Sequence, residues 1–153
     1  HMYMTFRLFR FNGDGHFEMF GNDHAEPFIC RADSGEIIEL KSSGFFIGIM
    51  KDSVLGNEST HFQLKSGDLL VLYSDGITEA KNITKKELRE KHKTQKDRDL
   101  QLRAMFGEER LYEVIKENRD KNPEQIIQSV IKTLDKYMAE QEDDVTIAIL
   151  KKK

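Results

Sequence analysis

Five apolar residues in a row, Leu69 to Tyr73, end abruptly at Ser74-Asp75-Gly76. A run without polar alternation reads as a strand covered on both faces, so a sheet has to extend on either side of it. Gly67-Asp68 in front is a turn signal, and Gly76 behind lets the chain leave at an angle that other residues disfavour. The carboxylate at the tip of this strand has two readings. Asp75 caps the element that follows, as Asp before Gly commonly does in turns, or it is placed there to hold something.

A second apolar run, Val145 to Leu150, is preceded directly by Glu142, Asp143 and Asp144. Two strands far apart in sequence thus each carry an aspartate at one end. If they lie side by side and antiparallel, the end of the first meets the start of the second, and Asp75 converges with Asp143. Converging carboxylates repel unless they are protonated or bridged by a cation, and oxygen-only ligands favour Mg²⁺ or Mn²⁺.

Between Tyr3 and Leu72 the signals are those of β structure. Met4, Phe6, Leu8 and Phe11 alternate with more polar neighbours, "NGDG" at 12–15 makes a tight turn, and Phe17, Met19 and Phe20 return. Residues 3–20 therefore read as a hairpin. Gly13 and Gly15 also spell Gly-x-Gly, but no helix follows to present its N-terminus to a phosphate. Further strands are expected at 27–31, 36–40 and 60–64. Residues 81–104 carry nine Lys/Arg against four acids. They read as a solvated helix or excursion, or as a basic flap that attracts an acidic or phosphorylated partner.

Two amphipathic helices follow. Glu108 and Glu109 suit the first turn of one that buries Leu111, Val114 and Ile115. In the next, Asn122 is the N-cap, Pro123 takes the first helical position and Gln125 reaches back. Ile126, Ile127, Val130, Ile131, Leu134 and Met138 form its apolar face.

At 153 residues the chain suits one domain, 3–150, with His1-Met2 read as a tag remnant. Charged residues make up 33% and hydrophobic ones 38%, which fits a soluble protein whose core is not entirely its own. A net charge of −3 gives no reason to expect nucleic acid as a partner. No apolar run approaches the ~20 residues that cross a bilayer. The single cysteine, Cys30, reads as a buried structural thiol and suits a reducing, cytoplasmic location.

Taken in order, "GDLLVLYSDGITEAKN", "FGEERLYEVI", "NPEQIIQSVIKTL" and "EDDVTIAIL" resemble the C-terminal half of bacterial metal-dependent protein serine/threonine phosphatases. The class is type 2C (PPM), in particular its SpoIIE/RsbU-like branch. "FGNDHAEPFICRADSGEIIELKSSGFFIGI" is similar to that branch's stretch around an Asn-Ala-Gly-His-Asn-Pro-Pro turn. The resemblance implies an α+β fold: two antiparallel β-sheets in a sandwich flanked by α-helices, with the N-terminal part missing. It implies a two-metal site, Mn²⁺ or Mg²⁺, and metal-activated water that hydrolyses phosphoserine or phosphothreonine. The substrate it implies is a phosphorylated regulatory protein of the anti-anti-sigma-factor kind in bacterial signal transduction. Asp75 matches the metal-ligating aspartate of the family's Ser/Thr-Asp-Gly motif, and Asp143 the first aspartate of its closing Asp-(Asp/Asn)-x-Thr motif. Gly76, Asp144 and His24 are weaker candidates.

The match is incomplete. The family pattern opens with a strand ending in an aspartate that bridges both metals, a Gly-His-Gly segment and long helices, and none of these is present. "NGDGHF" superficially resembles that motif, but Asp14 stands in a hairpin turn and is not assigned the bridging role. Two functions follow from different classes: part of a catalytic phosphatase domain, or a phosphatase-like module that binds or regulates without catalysing. In either case a sheet face built partly from Met4, Phe6, Leu8 and Phe11 is left uncovered. A homodimer through it is the expected closure.

Overall fold

The computed structural model describes residues 7–21, 25–41, 60–91 and 102–153, with the backbone alone at 89–91. Among them are seven strands, β1 (Arg7–Phe11), β2 (His16–Gly21), β3 (Phe28–Cys30), β4 (Ile37–Glu39), β5 (Thr60–Gln63), β6 (Leu69–Tyr73) and β7 (Ile147–Lys151). The helices are α1 (Asp75–Thr78), α2 (Lys85–Lys91), α3 (Gly107–Asn118) and α4 (Pro123–Tyr137). The chain groups into two compact units, His1–Leu72 with Ile149–Lys153, and Tyr73–Ala148.

In the first unit β1 and β2 form the expected hairpin, and β5 adds to β2, all antiparallel. Gly13 and Gly15 take the positive φ that the turn demands, while Asp14 accepts from the His16 backbone N–H at 2.9 Å. Asp14 is thus engaged locally in its turn. The second sheet runs β4-β3-β6-β7, which places the apolar β6 in its interior, as its lack of alternation requires. Phe17 and Met19 of the first sheet pack against Ile29 and Leu70 of the second, with Leu40 and Leu64 closing the same core. The two sheets therefore form the expected sandwich. Cys30 is fully buried.

In β1 the core contact comes from Phe9, a residue outside the Met4-Phe6-Leu8 alternation. Phe9, opposite Met19, joins this core, its ring 6.2 Å from Phe17, while Leu8 is 57% exposed. Neighbouring positions on a strand face opposite sides, and Phe9 turns inward onto the Phe17 ring, which Phe62 backs from β5. Met4 and Phe6 lie outside the described residues.

Asp68 ties the turn before β6 to the turn after β3. Its carboxylate accepts from the backbone N–H groups of Ala32 at 3.0 Å and Lys65 at 2.9 Å, and pairs with the Arg31 guanidinium. With only 2% of its side chain exposed, burial alone would push this carboxyl up. The N–H donors and Arg31 outweigh burial and hold it below the usual carboxylate range.

The second unit is helical. Asn122 and Gln125 form the reciprocal capping box read from "NPEQ", an arrangement whose N-cap alone contributes about 1 kcal/mol. α4 buries Ile126, Val130 and Leu134, and α3 buries Leu111, Val114 and Ile115, so the two amphipathic faces are those expected. α1 packs on α3, and its Ile77 is buried. Near the C-terminus of α4, the Tyr137 hydroxyl lies 2.9 Å from the carbonyl oxygens of both Ala104 and Met105. Its ring meets Phe106 edge-on, with the Arg110 guanidinium 5.0 Å from the ring centre. The segment that follows the basic stretch is anchored there. Of that stretch, Lys85–Lys91 is helical as α2, and 92–101 lie outside the described residues.

Candidate functional site

β6 and β7 run antiparallel. In the first unit Lys152 N–H donates to the Asp68 carbonyl at 3.0 Å; in the second, Ser74 N–H donates to the Thr146 carbonyl at 3.0 Å. The end of β6 therefore meets the approach to β7, as the two-strand reading requires.

Three consecutive residues make that junction. Ser74 occupies the N-cap position of α1, but its hydroxyl caps nothing. Instead it donates to the Asp144 carbonyl at 3.0 Å and accepts from the Thr146 N–H at 2.9 Å. Asp75 is the first residue of α1 and is exposed, so the cap position belongs to Ser74 and the capping reading of Asp75 fails. Gly76 is buried, and a Cβ there would overlap the Asp144 carbonyl oxygen and lie 3.0 Å from its carbon. Glycine is required by this close approach of two backbones.

On the other side, Asp143 and Asp144 are both exposed. Asp143 Oδ1 accepts from the Asp144 N–H at 2.8 Å, and the Gln141 side-chain amide donates to the Asp143 carbonyl at 3.1 Å. Asp144 contributes mainly through its backbone, which receives Ser74 and abuts Gly76. His24 lies outside the described residues.

The donor set fits a hard divalent cation. Asp75 and Asp143 offer exposed carboxylate oxygens on two segments that Ser74 and Gly76 hold together. Among the described residues no group of three or more His, Cys, Asp or Glu is placed to share an ion. A cation held by the pair would fill its other positions with water or with ligands from elsewhere. Asp143 lines a cleft of about 120 Å³ together with Gly76, Glu79, Ala80, Lys81, Met138 and Glu142. Lys81 and Glu142 form an ion pair of 3.1 Å there.

Sequence reasoning named Asp75, Gly76, Asp143 and Asp144 as candidates and gave Ser74, Lys81 and Glu142 no role. The only signal for Ser74 was its place in the Ser-Asp-Gly triplet, and nothing marked Lys81 among so many lysines.

The family model described as Stage II sporulation protein E (SpoIIE) matches residues 1–153. No curated protein matches the chain significantly. Among solved structures, the Mn-presoaked phosphatase domain of SpoIIE from Bacillus subtilis superposes with a TM-score of 0.62 at 22% identity, covering 97% of this chain and 56% of that one. The SiaA-PP2C domain of Pseudomonas aeruginosa gives 0.61 at 16% identity, over 90% of this chain and 47% of that one. The RsbU and RsbW domains of Rv1364c from Mycobacterium tuberculosis give 0.55 at 15%, over 92% and 33%. These likenesses show the fold. The chain spans about half the length of the first two of these structures.

Proposed function

The chain belongs to the SpoIIE family, and from that premise we propose that it is the C-terminal portion of a metal-dependent protein serine/threonine phosphatase domain. The observation that carries this reading is the junction at Ser74 and Gly76, which joins the Asp75 segment to the Asp143 segment. Asp75 and Asp143 would hold Mn²⁺ or Mg²⁺, and Asp144 and Gly76 would fix the backbone between them. When bound, the cation neutralises charge on a phosphoryl group and lowers the pKa of water. The residues of this chain orient that chemistry and leave it open to a bulky substrate, since both aspartates lie at the surface. The substrate we propose is a phosphoserine or phosphothreonine on a regulatory protein. Two of the solved structures it resembles are a phosphatase domain and a PP2C domain, which supports the phosphatase part of this reading.

Catalysis is assigned to the complete domain. Two cations at a fixed separation need more ligands than two carboxylates, and among the described residues no third is placed to share. The 153-residue chain alone is therefore expected to turn over p-nitrophenyl phosphate or a phosphoserine peptide poorly or not at all. The parent chain is expected to do so with Mn²⁺, and Asp75→Asn in the parent should lower that rate at least about a hundredfold. A parent that binds Mn²⁺ yet hydrolyses no phosphomonoester would favour the binding or regulatory module instead.

We also propose self-association of the isolated chain. β1 ends the order β1-β2-β5 among the described strands, and Leu8 and Phe11 (57% and 46% exposed) stand out from it. A strand edge beside apolar side chains is commonly covered by pairing. Light scattering from micromolar concentration upward is expected to show a mass that rises toward a dimer. A constant monomer mass would show that β1 is closed within one chain.

A further inference from the structure

We propose that Lys81 is a positioning residue of the metal site: through Glu142 it holds the segment that presents Asp143. This rests on the assignment of Asp75 and Asp143 as cation ligands. Lys81 follows α1 closely, and Glu142 directly precedes Asp143. Their side chains meet at 3.1 Å with 14% and 21% of their surfaces exposed, so the contact is shielded from water far more than an ordinary surface pair. Glu142 Oε1 is buried and, among the described residues, has no hydrogen-bond partner. The charge of Glu142 is therefore compensated from the Oε2 side, by Lys81 at 3.1 Å and by Lys85 at 3.9 Å. A carboxylate this dependent on its counter-ion stays where the lysine holds it.

The backbone reinforces the same clasp. Ala139 N–H donates to the Lys81 carbonyl at 2.8 Å, and Lys85 N–H donates to a Glu140 carboxylate oxygen. Lys81 also forms an antiparallel bridge with Met105, so the base of the basic excursion is fixed at the same point. Residues 139–144 are thus held to the Asp75 side at two levels, Ser74–Gly76 against Asp144 and Lys81 against Ala139 and Glu142. Asp143 sits between those two anchors.

The sign of the effect separates positioning from simple electrostatics. Removing a lysine near a cation site removes repulsion, so a pure field effect makes Mn²⁺ bind more tightly. Removing a residue that positions a ligand makes it bind more weakly, by about 10- to 100-fold for groups that orient metal ligands. The test is calorimetric Mn²⁺ titration of the 153-residue chain, with paramagnetic broadening of the Asp75 and Asp143 amide signals as a second readout. Lys81→Met is expected to weaken binding about tenfold and to keep Mn²⁺ broadening at Asp75 more than at Asp143. Lys81→Arg, which keeps the pair, is expected to bind as the wild type does. Unchanged or tighter binding by folded Lys81→Met overturns the inference and leaves the metal site standing. If Lys81→Met does not fold, the near-isosteric Glu142→Gln replaces it, with the same unequal broadening expected and equal broadening contradicting the inference. Absence of Mn²⁺ broadening in the wild type overturns the site and the inference together.

Discussion

Replacing Gly76 with alanine is expected to weaken Mn²⁺ binding at least about tenfold, the scale on which disturbed ligand orientation costs affinity. The added methyl group would meet the Asp144 carbonyl, a backbone atom that cannot rotate aside as a side-chain tip would. Relief requires the start of α1 to withdraw from residues 143–144. That breaks the Ser74 bridge to Asp144 and Thr146 and separates the two aspartate-bearing segments. Overpacking of this kind costs about 1–3 kcal/mol in stability. Thermal melting and Mn²⁺ calorimetry on the same variant measure the two effects, and wild-type affinity would show that the close approach does not set the site.

The largest loss of stability is expected at Asp68, far from this chemistry in role. Asp68→Ala takes a buried carboxylate away from the part-buried Arg31 guanidinium and from the N–H groups of Ala32 and Lys65. Losing several hydrogen bonds to one charged group, at about 1.5–3 kcal/mol each, is a large share of the ~5–15 kcal/mol that holds a domain together. The pH dependence follows from the lowered pKa. Asp68 contributes its full stabilisation above the ordinary carboxylate value of about 4, and loses it as pH falls from there through the depressed folded value. Acid denaturation of the wild type is expected to steepen in that window. Asp68→Asn is expected to flatten it, and an unchanged acid limb in that variant would remove Asp68 from the account.

Local chemistry made much of the fold legible. β6 is identified by five apolar residues without alternation, and α4 by Asn122-Pro123 and Gln125, which satisfy each other within one turn. The face of β1 was not legible, because Leu8, Phe9 and Phe11 put apolar residues at both parities of the strand. Only the opposing rings of Phe17 and Phe62 decide which side turns inward. The candidate site divides the same way. Asp75 and Asp143 stand at the ends of recognisable strands, so antiparallel pairing alone brings their segments together. Ser74 and the Lys81–Glu142 pair act across more than sixty residues of sequence, and no local pattern reports a partner at that distance.

We propose that Asp75 and Asp143 together hold a divalent cation. Titrating Mn²⁺ into the isotopically labelled chain, while following amide signals by NMR, tests it most directly. Broadening is expected first at Asp75, Gly76, Asp143 and Asp144, with weak affinity because water fills most of the coordination shell, and with loss of the effect in both Asp75→Asn and Asp143→Asn. Broadening centred elsewhere, or unchanged in those two folded variants, would contradict the account.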